Sequence, residues 1–206
     1  PVAVWDMTGQ MASGDRPVVN LKNAGWRVGS ERLRRHPMNG TRVLITGAAG
    51  QVGSHVAEQL LARGASILGV DNFTTGRREH LPETEDRFRF EEVSIVDGAA
   101  VDALVEDFKP DVVVHTAASY KDPEDWQSDA SVNVVGSVNV IQAAKAHKVG
   151  RFIYFQTALC YGVSPLEQPI TLSHAKNPGN SSYAISKTAA EDYLELSGLD
   201  YVTFRL

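Results

Sequence analysis

The stretch that most limits how this chain can fold is RVLITGAAGQVG at residues 42–53. There a short β-branched run ends in Gly47, Gly50 and Gly53, and a helical pattern follows directly. The run is too short and too branched for a helix and reads as a strand. Val52, Val56, Ala57, Leu60 and Leu61 then recur at helical spacing until Gly64 ends them. A second run, SILGVD, closes on an acid, Asp71. Glycine is needed where the backbone turns sharply and where a pyrophosphate approaches helix N-terminal amides without meeting a Cβ. A glycine triplet alone is weak evidence. Strand, glycines, helix, strand and terminal acid in that order form a dinucleotide-binding pattern.

Asp71 narrows the ligand. A carboxylate there accepts both adenosine-ribose hydroxyls and repels a 2′-phosphate, so the expected cofactor is NAD rather than NADP. Arg77 and Arg78 follow closely and read as solvated loop charges.

The alternation continues along the chain. Phe88, Phe90 and Val93 alternate with polar residues as a half-buried strand does, and Val101, Leu104, Val105 and Phe108 mark one face of a helix. Pro110 stops that helix, and DVVVH reads as a strand buried on both faces. A longer helix is expected over 129–147, a fifth strand at RFIYF, a helix over 183–196 and a sixth strand at YVTFRL. Strands and helices alternating this regularly predict a doubly wound parallel α/β sheet, with the ligand crevice at the carboxyl ends of its strands.

Residues 1–37 lack any sustained period and finish in a basic cluster, Arg32, Arg34, Arg35 and His36. They read as tag-like sequence ahead of Met38, with a native arm packing on a neighbouring subunit as the alternative, and no function is drawn from them. Residues 38–206 are expected to form the nucleotide-binding domain. The sixth strand ends with the sequence at Leu206, so the chain reads as cut short. With 20 Lys and Arg against 25 Asp and Glu, the net charge of −5 argues against a nucleic-acid or anionic-membrane partner. The single cysteine, Cys160, excludes an internal disulfide and suits a reducing cytoplasm, and is expected to be a small core residue. No apolar run has the length of a membrane helix, and no metal site is expected.

Tyr183 and Lys187 stand four apart in SYAISK, which puts both side chains on one helix face. An ammonium beside a phenol favours the phenolate, so Lys187 is expected to lower the Tyr183 pKa toward that of a working base. Thr157, in FQTALCYG after the fifth strand, offers a hydroxyl that can hold a reacting substrate oxygen near the tyrosine.

Taken together, TGAAGQVG, Asp71, HTAA at 115–118, VNVVGSVNV, FQTALCYG and YAISK resemble the extended short-chain dehydrogenase/reductase family. Its members include UDP-galactose 4-epimerase and the nucleotide-sugar dehydratases. The resemblance covers 42–206, and YKDPEDW with FQTALCYG is most similar to bacterial epimerases of lipopolysaccharide O-antigen pathways. It implies a Rossmann sheet in strand order 3-2-1-4-5-6, with the family's carboxyl-terminal substrate domain missing. It also implies Thr157 as the hydroxyl that polarises the substrate, Tyr183 as the acid/base, and Lys187 as its electrostatic partner and a nicotinamide-ribose ligand. Cofactor contacts are implied for Gly47, Gly50, Gln51, Val52 and Gly53 in the glycine turn, and for Asp71, Asn72, Phe73, Thr75 and Gly76 after the second strand. Ser94, Ile95, His115, Ala117, Ala118 and Asn133 complete that set. For His115 and Asn133, a purely structural role in the core or on a backbone group is the competing reading. Ser94 stands where the family often has an adenine-binding Asp, and Pro178-Gly-Asn-Ser-Ser replaces the usual PxxPY approach to the tyrosine.

The reaction follows from what stands beside Thr157. Dehydrating relatives carry an Asp–Glu pair there, to protonate the leaving hydroxyl and remove the adjacent proton. Ala158 and Leu159 supply neither. Reversible hydride removal and return remains, which is enough to epimerise a nucleotide sugar, expected to be UDP-linked and changed at C4. A nucleotide-sugar dehydrogenase, reductase or dehydratase is the alternative. A dinucleotide-sensing regulator is more remote, because Thr157, Tyr183 and Lys187 are all kept. A homodimer through the helices of Asn133 and Tyr183 is implied by the resemblance.

Overall fold

A computed structural model describes residues 37–82, 86–162, 170–171, 174–179 and 181–206. Residues 1–36, which carry nearly all of the tag-like reading, and Asn180 in the approach to Tyr183 lie outside the described residues.

Six parallel strands form one sheet, β1 (Arg42–Thr46), β2 (Ser66–Asp71), β3 (Phe88–Glu92), β4 (Val112–His115), β5 (Arg151–Gln156) and β6 (Tyr201–Arg205). Their order is β3-β2-β1-β4-β5-β6, the reversal at β1 and β4 that opens a crevice in doubly wound sheets. The helices are α1 (Gln51–Leu61), α2 (Gly98–Phe108), α3 (Ser137–Ala146) and α4 (Ser182–Ser197).

Strand periodicity of two splits the apolar residues between the faces. Val43, Ile45, Ile67 and Val114 pack with Ala57 and Leu61 of α1. Leu44, Leu68, Val113 and Phe152 pack with Val101 and Val105 of α2, Val140 of α3 and Leu194 of α4. The expected strands and helices all form within a residue or two of the sequence reading.

One helix differs from expectation. A single turn at Trp126–Ser128 runs straight into a π-helical stretch, Asp129–Gly136, and only then into α3. The wider turn accompanies two tight fits. Asn133 is wholly buried, and a Cβ on Gly136 would stand 2.7 Å from the Ile95 side chain. π-Helical insertions of this kind concentrate near functional sites. No helix among the described residues is long and apolar enough to cross a membrane.

Candidate active site

A crevice of about 1060 Å³ lies across the strand ends, bounded by the glycine turn and Asp71 at one extreme and by Thr157, Tyr183 and Lys187 at the other. One continuous cleft therefore joins the dinucleotide pattern to the YxxxK pair.

At the first extreme the glycines do unequal work. Gly47 has φ +73°, and a Cβ there would sit 2.6 Å from the Ala117 amide nitrogen. A Cβ on Gly53 would lie 2.1 Å from the Gly47 carbonyl oxygen, a collision with backbone. Gly50 would meet the same oxygen at 3.2 Å, a tight but accommodable contact. Removing side chains brings α1 down onto the turn and leaves its N-terminal amides facing the crevice, as a pyrophosphate requires.

Asp71 is aimed before any ligand arrives. Its carboxylate accepts the Ala49 amide at 3.0 Å and the Phe73 amide at 2.8 Å, which ties it to the glycine turn and to the loop after β2. Asn72, Thr75, Ser94 and Ile95 line the crevice with it. Phe73 and Gly76 do not. The Phe73 ring packs on Phe90 at 5.2 Å and under Arg78 at 4.5 Å, and Gly76 lies against Ala49. Arg77, read as solvated, lines the crevice together with His80, and the Arg77 amide and the His80 ring both bond the Ala49 carbonyl.

At the other extreme Thr157 accepts the Leu159 amide at 3.2 Å, capping a 3-10 turn at Ala158–Tyr161 that begins where β5 ends. Tyr183 and Lys187 project from α4 into the same space, beneath Ser181, whose hydroxyl caps the helix at the Ala184 amide. Lys187 is fully buried and its ammonium rests 4.1 Å from the Tyr154 ring centre, while burial pulls its pKa down to about 7. The Tyr183 pKa moves up, not down. Burial of the phenol is the largest cause, followed by the charges of Asp129 and Tyr120. The expectation that Lys187 lowers the Tyr183 pKa is thus corrected. Burial penalises the phenolate, and that cost outweighs any charge beside it.

Two residues of the implied cofactor set are turned away from the crevice. His115 is fully buried, bonded to Thr46 Oγ1 at 2.6 Å and to Ser137 Oγ at 2.9 Å, with its pKa pushed down to about 3 by burial and by Lys187. Asn133 accepts the Ser119 amide at 2.8 Å and donates to the Ser119 carbonyl at 2.9 Å and to Ser186 Oγ at 3.0 Å. It therefore fixes the β4 exit loop, whose Tyr120, Lys121 and Asp122, the start of the YKDPEDW stretch, line the crevice although no site role was expected of them. Ala117 and Ala118 line it as expected. Cys160 is buried, and burial raises its thiol pKa.

Sequence reading also passed over a buried polar group beneath Thr157. Gln156, Glu191 and Arg205 meet there, and the available signal was Glu191, four residues after Lys187 on the buried face of α4.

Comparison with known proteins gives consistent results. The family model described as "NAD dependent epimerase/dehydratase family" matches residues 43–206. A UDP-glucose 4-epimerase of Mycolicibacterium smegmatis is 37% identical over 160 residues, covering 75% of this chain and 50% of that protein. Among solved structures, the Bordetella bronchiseptica enzyme WbmH in complex with NAD+ is 62% identical with a TM-score of 0.78, covering 80% of this chain and 55% of that one. The UDP-glucose 4-epimerase of Thermotoga maritima with UDP-glucose is 30% identical with a TM-score of 0.75, covering 80% and 55%. The chain spans about half the length of the curated relatives it matches.

Proposed function

This chain belongs to the NAD-dependent epimerase/dehydratase family, and from that premise we propose that its protein epimerises a nucleotide sugar with NAD held in the crevice. The sugar is UDP-linked and inverted at C4, and the setting is bacterial surface-polysaccharide synthesis in the cytoplasm. One observation carries the reading. A single cleft runs from an Asp71 carboxylate fixed by two backbone amides, past a turn with no room for a Cβ at Gly47 or Gly53, to Thr157, Tyr183 and Lys187. The residues present fit a dinucleotide, with Asp71 suited to the adenosine ribose and the glycine turn to the pyrophosphate.

NAD, when bound, supplies reversible hydride uptake at the sugar carbon. Tyr183 takes the proton of the hydroxyl on that carbon as it is oxidised, and returns it when the carbon is reduced from the other face. Thr157 holds that oxygen, and the Lys187 ammonium on the same helix face offsets the charge that Tyr183 gains. Ala158 and Leu159 follow Thr157 with no titratable group, so the second proton transfer of a dehydration has no carrier among them. The relatives named above, with NAD or UDP-glucose in their crystals, agree with this reading.

We extend the reading to a dimer built on the π-helical stretch, α3 and α4. Val135, Ile185, Tyr193 and Leu196 are exposed apolar side chains on those helices, 48% accessible or more. Light scattering of the full-length protein at micromolar concentration should give twice the monomer mass.

The experiment for the activity is incubation of full-length protein with UDP-glucose, UDP-galactose and their N-acetylamino counterparts. The expected result is the C4 epimer, with NAD retained and no net NADH. Accumulating NADH would indicate a dehydrogenase, and loss of water from the sugar a dehydratase; either overturns the proposal.

A further inference from the structure

The Thr157 turn has no motif to hold it in place, yet it must keep a hydroxyl in register with Tyr183, which lies on a separate element. The residue just before it does the holding. Gln156, the last residue of β5, is 2% exposed, and its side-chain oxygen accepts the Thr157 amide at 2.9 Å. Its side-chain nitrogen donates to the Lys187 carbonyl at 3.0 Å and to Glu191 Oε2 at 3.1 Å. One donor on one side and two acceptors on the other leave the amide a single orientation. Tyr154, two residues back on β5, sends its hydroxyl to the same Lys187 carbonyl at 2.9 Å.

Glu191 is the other half of the device. It is 2% exposed on α4, one turn beyond Lys187, so its carboxylate is buried and must be paired. Arg205 on β6 donates to Oε1 at 2.6 Å, and Lys176 approaches Oε2 at 3.7 Å. Lys176 also bonds Asp192, and the neighbouring Asn177 amide donates to the Cys160 carbonyl at 2.7 Å. The end of β5, the end of β6, the middle of α4 and the segment before α4 thus meet on one carboxylate, with Gln156 as its link to Thr157.

Resting on the epimerase reading, we propose that Gln156 is a positioning residue that holds the Thr157 hydroxyl against the Tyr183–Lys187 helix, oriented by Glu191 and Arg205. Its amide is taken up by the protein itself, by the Thr157 amide, the Lys187 carbonyl and Glu191. Its effect is geometric, carried through the Thr157 amide and the Lys187 carbonyl, so loss of the side chain should alter turnover and leave binding alone. A misplacement of the order of 1 Å at a reacting group costs about 10²-fold in rate.

The test is made on the full-length protein with bound NAD. Gln156→Leu should lower kcat by about 10- to 100-fold, with KM and NAD content within about twofold of wild type. Gln156→Glu, which sets a carboxylate against the Glu191 carboxylate, should be worse. Gln156→Glu combined with Glu191→Gln exchanges donor and acceptor between the two side chains but leaves a carboxylate facing the Lys187 carbonyl. It should be faster than Gln156→Glu alone and slower than wild type, a partial rescue that general destabilisation would not give. Hydrogen exchange supplies a readout without turnover. The Thr157 amide should be protected in wild type and exposed in Gln156→Leu, while the β5 amides stay protected. If wild type turns over no UDP-sugar, the functional reading fails and the Thr157 amide alone decides this proposal. Wild-type kcat in Gln156→Leu, no rescue in the double variant, or an unchanged Thr157 amide would each overturn it.

Discussion

The cofactor end of the crevice, on β1 and β2, is built from backbone and one carboxylate, whereas the catalytic end, on β5, α4 and β6, is built from side chains that hold one another. At the first end the decisive contacts are made by backbone, as in the Ala49 and Phe73 amides on Asp71, or Gly53 against the Gly47 carbonyl. At the second they run from side chain to side chain, as in Gln156 to Glu191, or Glu191 to Arg205. Local backbone shape can be written as a motif. A buried network of polar side chains cannot, because each member is an ordinary residue until the fold brings its partners to it. The first end should therefore be broken by adding a methyl group, and the second by removing a hydroxyl.

The largest effect is expected at the catalytic end. Tyr183→Phe removes one oxygen and no packing atom, so the fold and bound NAD should persist while kcat falls by about 10² to 10⁴. Thr157→Val should cost less, because it removes a hydrogen bond to the substrate and not the proton carrier. Steady-state turnover with a parallel assay of released NAD checks both. Near-wild-type turnover by the Phe variant would remove Tyr183 from its role and leave the catalytic end without a base.

At the cofactor end the corresponding change is an addition. Gly53→Ala drives a Cβ to 2.1 Å from the Gly47 carbonyl, and no flexible side chain is there to yield. Overpacking of this kind costs about 1–3 kcal/mol, and contact with backbone belongs at the upper end of that range. Gly50→Ala, at 3.2 Å from the same oxygen, should be mild. Thermal midpoints of the two variants, with and without NAD, make the comparison. Equal behaviour would mean that the turn relaxes freely and that its shape is not what builds this end.

These two ends also explain how much could be read in advance. The parallel doubly wound sheet, the glycine turn, Asp71 and the Tyr183–Lys187 pair were legible because each is a local pattern or a fixed spacing, whereas the strand order and the part given to Thr157 came from the family resemblance. His115 and Asn133 sit on legible elements, but their direction was not legible. Each is buried and bonded within the protein, His115 to Thr46 and Ser137, Asn133 to Ser119 and Ser186, contacts set by the packing of β4 against the π-helical stretch and α4. The Tyr183 pKa went the other way for a related reason. Helix spacing tells which side chains are neighbours and says nothing of how deeply they are buried.

Asp71 sharpens the comparison within the cofactor end itself. Asp71→Asn keeps an acceptor, removes the charge, and leaves Arg77 as a cation on the same stretch of crevice. NAD affinity should fall about tenfold, the scale of one charge-assisted hydrogen bond, and NADP affinity should rise. Titration of the variant with both dinucleotides reads the ratio. Unchanged NAD preference would show that backbone alone selects the cofactor at this end.

The smallest expected effect lies where the two ends meet. His115, at the end of β4, bonds Thr46 of β1 on one side and Ser137 of α3 on the other, so it links the cofactor strands to α3, which packs against the catalytic helix α4. Its folded pKa is about 3 against an ordinary 6.5, lowered by burial and by the Lys187 charge. The unfolded chain therefore binds a proton below pH 6.5 that the folded chain refuses until about pH 3, and stability drains away as pH falls through that window. Between pH 7 and 5.5 this one group should cost about 1 kcal/mol. His115→Gln retains hydrogen-bonding atoms and does not titrate, so it should be less stable than wild type at neutral pH and lose less on acidification. Carboxylates titrating in both proteins cancel in the difference. Urea midpoints of the two proteins at pH 7 and 5.5 should converge by that amount. A constant gap would mean that His115 takes up its proton in the folded state as readily as in the unfolded one, and that the joint between the two ends is open to water.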